Sequence, residues 1–579
     1  MNRREQACLP GREALRVALT NCVNPLQAIQ EFQEENGVLL PSLRPALSLL
    51  DLHGVRRLDF HTSLREELKG RLMQQIETLA SDKGREQQKK LEEMLERSFH
   101  FIKVPTLRPV VMCLLRNTKC IDQKYMKLLV SDKSLYRECD IEVRRQIWLD
   151  NKELFAEEVL PLLSEYVSER EEALWGLTVT AESPFAFFKP TPKQRRQRGM
   201  LQRLLAMVNR NLVLYDMLVD ILRAAFRRTR NVHYCTLRVE LLMALHDLEA
   251  QEITAVDRTH KFTWCLDACI REKNMDEKRC RELQSILEVK RGQEELLCDL
   301  ALALCDPYAI NFLGHSAVKA MIHLVNLEAM PRGNHVLVLL LRMLALGNEA
   351  WKMLNTEVYA EPALDVQLFT RFIPALMCLM IDDQMRLLSS QLKENDEGSP
   401  SATADPSEPI PDAFQEYVKG NALASTLALF YVLHLARQRD HTGLVRVLGT
   451  LAETEGRRAY KDPFLHSLVG HFANMAHHFA REDFCMVVFD DFFLRGLRSS
   501  ALKTPARHLM RLLWQVHGSL PPARLNNLMN KLQPFAEVIE ELKAPFQALE
   551  NKIDHGNLQA AAPSSADIPL PRSPAMVPM

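Results

Sequence analysis

The chain of 579 residues has 73 lysines and arginines against 74 aspartates and glutamates, and its net charge of −1 excludes a polycation that grips nucleic acid over its whole surface. Hydrophobic residues make up 47%, yet only 20 glycines occur. Phosphate-cradling loops, parallel sheets and tight hairpins need more backbone at positive φ than that, so the composition points to helices and away from nucleotide-fold enzymes.

Met1-Asn2-Arg3-Arg4-Glu5-Gln6 leads into no apolar run, so no secretory signal is expected. The first residues, 1–18, read as a variable segment, and 19–192 as an N-terminal helical region. In that region Leu64–Leu79 and Leu91–Ile102 are apolar at helical spacing and flank a charged turn, Ser81-Asp82-Lys83-Gly84. A central helical-repeat region, 193–392, opens with a basic stretch, 193–230. Leu201, Leu204, Leu205, Val208, Leu212, Tyr215, Val219, Leu222 and Phe226 fall on one face at about 100° per residue, predicting one long helix over Met200–Phe226. His335–Leu346 is expected to end at Gly347 as a C′ glycine. Pro105, Pro161, Pro307, Pro331, Pro362 and Pro521 mark expected helix boundaries.

The segment 393–412 is acidic, rich in Ser and Pro and poor in apolar residues, so it reads as a disordered linker. A C-terminal helical region follows at 413–554. Its uncharged run Gly420–Ala436 is too short and too polar to span a membrane and predicts a buried helix. Phe464, Leu468, Phe472, Met475 and Phe479 form a further stripe. The Ala/Pro/Ser segment 555–579 reads as a disordered tail. No strand alternation bounded by hairpin turns is found. The fold class is therefore all-α, an irregular HEAT-like helical-repeat solenoid with a disordered acidic linker and a disordered C-terminal tail.

The sequence contains no phosphate-binding glycine loop, nucleophile elbow, zincin helix or C-x-x-C. Thirteen cysteines at irregular spacing suit reduced thiols in cytosol or nucleus better than a disulfide framework. His260 with Cys265 and Cys269, and the run His466, His471, His477 and His478, lack a complete tetrahedral ligand set. Glu92-Glu93, Asp382-Asp383 and Asp490-Asp491 read as solvated helix ends. No catalytic, metal or cofactor site is predicted.

The basic stretch carries more information. Lys193, Arg195, Arg196, Arg198, Arg203, Arg210, Arg223, Arg227, Arg228 and Arg230 face only Asp216 and Asp220 in sequence. Lys193, Arg195, Arg196, Arg198, Arg227, Arg228 and Arg230, placed at the helix ends where cations stay solvated, are the candidate contact with nucleic acid or an acidic partner. No aromatic platform for stacking bases accompanies them.

Glu35–Leu43 (ENGVLLPSL), Leu50–Gly54 (LDLHG), Asn231–Arg238 (NVHYCTLR), Leu245–Leu248 (LHDL) and Lys261–Glu272 (KFTWCLDACIRE) together closely resemble the B-subunit family of the negative elongation factor complex. Val143–Trp148, Cys305–Pro307, Leu344–Gly347 and Glu482–Cys485 extend the resemblance over roughly Leu19–Leu549. It implies a nuclear scaffold in a four-subunit hetero-oligomer that represses elongation by pausing RNA polymerase II near promoters. In the family this subunit bridges the C/D and E subunits, and through them the A subunit. The complex acts with the DRB-sensitivity-inducing factor. RNA contact through 193–230, or an adaptor role outside transcription, are the alternative readings.

Overall fold

The computed structural model describes residues 17, 20–36, 57–81, 84–175, 186–289, 293–327, 329, 331–395, 410–453, 460–497 and 503–561. Most of the expected linker (396–409), the tail from 562 and nearly all of the first 18 residues lie outside them. The described residues are helical with no strand, in the all-α solenoid class that the periodicity predicts. Every described cysteine is a free thiol, and no single described helix is long and apolar enough to cross a membrane. The chain divides into two compact units, 1–154 and 155–579.

The first unit contains α1 (Pro25–Asn36), α2 (Arg57–Ser81), α3 (Arg85–Ser98), α4 (Arg108–Asn117), α5 (Gln123–Ser131), α6 (Lys133–Glu138) and α7 (Ile141–Asp150). Asp122, Asp132 and Asp140 each cap the helix that follows, their carboxylates accepting from first-turn N–H groups. Those three caps explain why the chain breaks so often here. Ile76, Leu91, Leu95, Val111, Leu114 and Leu129 close a core between α2 and α5.

The second unit holds α8 (Lys152–Trp175) from Phe155 onward, α9 (Pro192–Arg196), α10 (Gly199–Val208), α11 (Leu212–Thr229), α12 (His233–Asp247), α13 (His260–Glu272), α14 (Glu277–Val289), α15 (Glu294–Leu304) and α16 (Pro307–Asn326). It continues through α17 (His335–Thr356), α18 (Ile373–Asn395), α19 (Asp412–Gly420), α20 (Ala422–Gln438), α21 (His441–Glu453), α22 (Asp462–Ala473), α23 (Lys503–Val516), α24 (Pro522–Val538) and α25 (Glu540–Ala561). Helices pack mainly on near neighbours in the chain: α15 and α16 on α17, α16 on α20, α20 on α21, α22 on α23 and α24 on α25. Contacts of much longer range also occur, for His466 Nδ1 donates to the Leu174 carbonyl at 2.7 Å.

Three local expectations are corrected. Met200–Phe226 is two helices, because Asn209 takes a positive φ of 46° and the Asn211 side chain accepts from Leu214 N–H to start α11. The apolar stripe runs on across the break, which hid the turn. Gly347 does not end α17, which continues to Thr356 and is followed by Glu357 at φ 55°. A Cβ at 347 meets the Leu304 carbonyl oxygen at 2.6 Å, so this glycine serves the close approach of α17 to α15. Pro161 lies inside α8, not at its boundary.

Other expectations hold. Leu423–Leu433 of α20 are buried throughout, and Leu468, Phe472, Met475 and Phe479 are fully buried. At the edges of the expected linker and tail, α18 reaches Asn395 and α25 reaches Ala561.

Candidate functional site

Capping and ion pairing organise the basic stretch. Thr191 and Gln194 form a reciprocal capping box, with Pro192 as the first residue of α9. That short helix turns Arg195 and Arg196 inward, contrary to their expected solvation. Arg195 is 2% exposed, lies over the Tyr308 ring at 3.6 Å and donates to Glu240 at 3.1 Å. Arg196 pairs with Asp267 at 2.5 Å and Asp247 at 3.0 Å. Neither can meet an external phosphate. Arg198 is half-buried, 3.9 Å from Glu169. Lys193, Arg227, Arg228 and Arg230 are exposed. Arg227 pairs with Glu357 at 3.4 Å, and the Arg230 guanidinium lies 4.4 Å from the Trp351 ring centre. The expected patch thus separates into an inward pair and an outward remainder.

Glu240 is the hub of the inward side. It is buried in α12 and accepts from Arg170 at 2.6 Å, from Arg195 and from the Tyr166 hydroxyl at 2.9 Å. Arg170 also donates to the Tyr308 hydroxyl at 3.2 Å, and that hydroxyl donates to the Phe187 carbonyl at 2.7 Å. Beside them Asp306 caps α16 and accepts from Thr236 at 2.8 Å; burial raises its pKa. These groups tie α8, α9, α12 and α16 together through charges with partners, the condition under which a charge can be buried.

A second cluster corrects the reading of Asp382-Asp383. Asp383 is buried, accepts from the Tyr431 hydroxyl, from Arg386 at 2.5 Å and from Arg446 at 2.7 Å, and Arg386 also meets Asp440 at 2.6 Å. Glu92 and Glu93 are exposed on α3, and Asp490 pairs with Arg524.

The suspected ligand clusters do not converge. Cys265 and Cys269 are buried on the α13 face with Phe262 and Leu266, while His260 pairs with His246 at 3.0 Å. His466 is bonded to Leu174. His478 stacks against His441 at 5.7 Å. Among the described residues no group of three or more His, Cys, Asp or Glu is placed to hold a metal ion.

The second unit contains a cleft of about 420 Å³. Leu429, Phe430 and Leu433 of α20 and His233 at the start of α12 are its buried floor, while Arg230 and Lys461 are exposed at its edge. Burial pushes the His233 pKa down to about 4, helped by Arg170, so the imidazole is neutral at pH 7. Asp462, also lining the cleft, lies 2.9 Å from His508 Nε2. Sequence reading missed Glu240, Arg170, Asp306 and this cleft. A lone acid inside the apolar run Val239–Leu245 was the available signal for Glu240.

Fold and site together define an all-α helical-repeat protein with buried interhelical charge clusters and a ligand-sized cleft. The profile of the family described as Cofactor of BRCA1 (COBRA1) matches residues 105–453. Negative elongation factor B of Drosophila melanogaster is 52% identical over 98% of this chain and 96% of that protein. The proteins of that name from Homo sapiens and Mus musculus are 46% identical over 98% of both chains and 45% identical over 97% of both. The chain belongs to this negative elongation factor B (COBRA1) family.

Proposed function

We propose that the protein is a non-catalytic, nuclear scaffold subunit of a complex that represses transcription elongation by pausing RNA polymerase II near promoters. In this reading it bridges the C/D and E subunits, and through them the A subunit, and the assembly acts on the polymerase with the DRB-sensitivity-inducing factor. The observation that carries it is similarity of 45–52% over nearly the whole length to proteins named negative elongation factor B. Two features of the chain support it. Its buried ionisable groups at Glu240 and Asp383 have partners on neighbouring helices, as structural ties do. Large apolar residues stay exposed on and before α18, among them Val358, Val366, Ile381, Met385 and Leu388, where a partner surface can cover them. Affinity purification from nuclear extract, with the stoichiometric partners identified, tests the proposal. Recovery of the C/D and E subunits at one copy each is expected; a chain that purifies without them contradicts it.

A second reading is RNA contact, favoured by the exposure of Lys193, Arg227, Arg228 and Arg230. Arg195 and Arg196 no longer belong to it, because they are engaged inside the protein. It is compatible with a scaffold role.

A further inference from the structure

The cleft in the second unit has an apolar floor, a buried polar group and a cationic edge, and each calls for a different part of one ligand. Leu429, Phe430 and Leu433 offer the floor, with Phe464 half-buried beside them. Into it is sunk His233, 4% exposed, whose Nδ1 meets no hydrogen-bond partner among the described residues. A buried polar atom left unpaired is costly and uncommon in native proteins. That nitrogen is closed to solvent beneath the floor, so a ligand group bonds it only by parting the floor slightly, and in doing so removes that cost.

The edge has its own polarity. Arg230 and Lys461 stand exposed there. Two carboxylates of the lining have partners of their own: Asp462 faces His508, and Glu171 accepts from Asn231 Nδ2 at 3.0 Å. Four helices also begin at the lining, α12 at His233, α16 at Pro307, α22 at Asp462 and α23 next to Thr504. Their N-terminal ends add positive potential. Asp306 and Asp462 offset part of it at α16 and α22, leaving α12 and α23 without an acidic first-turn residue.

We propose that this cleft seats a short peptide segment of a partner subunit in which an aromatic side chain neighbours a carboxylate. The ring lies on the α20 floor among Phe188, Phe430 and Phe464, the segment hydrogen-bonds His233, and the carboxylate meets Arg230 and Lys461. An aromatic anchor in a desolvated pocket is the usual centre of a protein interface, and about 420 Å³ accommodates one such ring with its neighbouring backbone. A nucleic-acid strand fits less well. Arg230 and Lys461 are the only arginine and lysine among the described lining residues, so a run of phosphates finds no continuous basic track. The inference rests on the scaffold reading, since the segment belongs to a subunit that copurifies with the chain.

The test uses the full-length protein in its complex. Phe464→p-benzoylphenylalanine places a photo-cross-linker beside the floor, and the same replacement at half-buried Asn311 gives a second, independent position should the first fail to fold. After irradiation the attached peptide is sequenced by mass spectrometry. The expected product is a segment of a copurifying subunit with Asp or Glu within two residues of an aromatic. Its yield should fall at least tenfold when Arg230→Glu and Lys461→Glu are added, while the complex still copurifies. An intact complex without a cross-link at either position overturns the inference, as does a captured segment lacking an acid, a segment of the chain itself, or attached RNA. Failure of the unsubstituted chain to copurify with any subunit removes the scaffold reading first, and this inference with it.

Discussion

Glu240→Gln is the sharpest perturbation of the second unit. The side chain is 2% exposed and faces Arg170, 1% exposed, at 2.6 Å and Arg195, 2% exposed, at 3.1 Å. The amide keeps the shape and can still accept from Tyr166, but it removes the one negative charge in direct contact with two buried guanidinium groups. Removing one partner of a buried ion pair costs about 3–5 kcal/mol, because the desolvated charge left behind has nothing to balance it. That is a large share of a net stability of about 5–15 kcal/mol. Arg195→Met is a milder control, since it leaves the Arg170–Glu240 pair intact and replaces a buried stem by an apolar side chain. Hydrogen exchange read by mass spectrometry, with a thermal melt beside it, separates the cases. Amides of α12 should exchange roughly a hundredfold or more faster in Glu240→Gln, each 1.4 kcal/mol being tenfold. Arg195→Met should fall between wild type and that variant. Unchanged protection of α12 together with an unchanged melt in Glu240→Gln would refute the assignment of Glu240 as the tie between α8, α9 and α12.

Acid should destabilise the protein below pH 6.5. Burial holds His466 at about 3 and His233 at about 4, whereas the unfolded imidazoles protonate near the ordinary value of 6.5. Between those values the unfolded chain binds more protons, so stability is complete above pH 6.5 and declines on acidification by up to about 1.4 kcal/mol per pH unit for each group. Urea titrations from pH 4.5 to 7 read the slope, which His466→Asn should make shallower; a flat profile contradicts the neutral burial. Gly347→Ala should destabilise by about 1–3 kcal/mol, since its Cβ meets the Leu304 backbone. Gly70→Ala, with nothing within 4 Å in mid-helix α2, should instead stabilise by about 0.5–1 kcal/mol, and equal melts for the two would contradict both. If RNA is bound, Arg227→Glu with Arg228→Glu should weaken it and flatten the salt dependence by about one unit per lost phosphate contact. Arg195→Glu should lower the melting temperature instead, by setting a second carboxylate against Glu240. An RNA salt slope unchanged by the Arg227/Arg228 pair removes the second reading.

Periodicity, with the scarcity of glycine, carried the fold class, because apolar residues at helical spacing encode which face is covered, as at α20 and at Leu468–Phe479. Boundaries failed where two helices share one stripe. Asn209 and Asn211 break the backbone between α10 and α11 without interrupting the apolar pattern, so only their turn chemistry could have marked the break. Gly347 and Pro161 look like punctuation in sequence but lie inside helices, and the close approach of Leu304 that demands the glycine comes from a different helix. The basic stretch shows the limit for sites. Formal charge counts Arg195 and Arg228 alike, while the position of Glu240, 45 residues beyond Arg195, decides that the first faces inward. The cleft was out of reach for the same reason, since its lining comes from helices scattered between Glu171 and Thr504.

The bridging role is tested most directly by reconstitution from separately purified C/D, E and this chain, with the mass of each eluting species measured by light scattering. The C/D and E subunits should co-elute in a one-to-one-to-one assembly only when the chain is present. Co-elution of C/D with E in its absence, or a chain that elutes alone beside either subunit, contradicts the bridge.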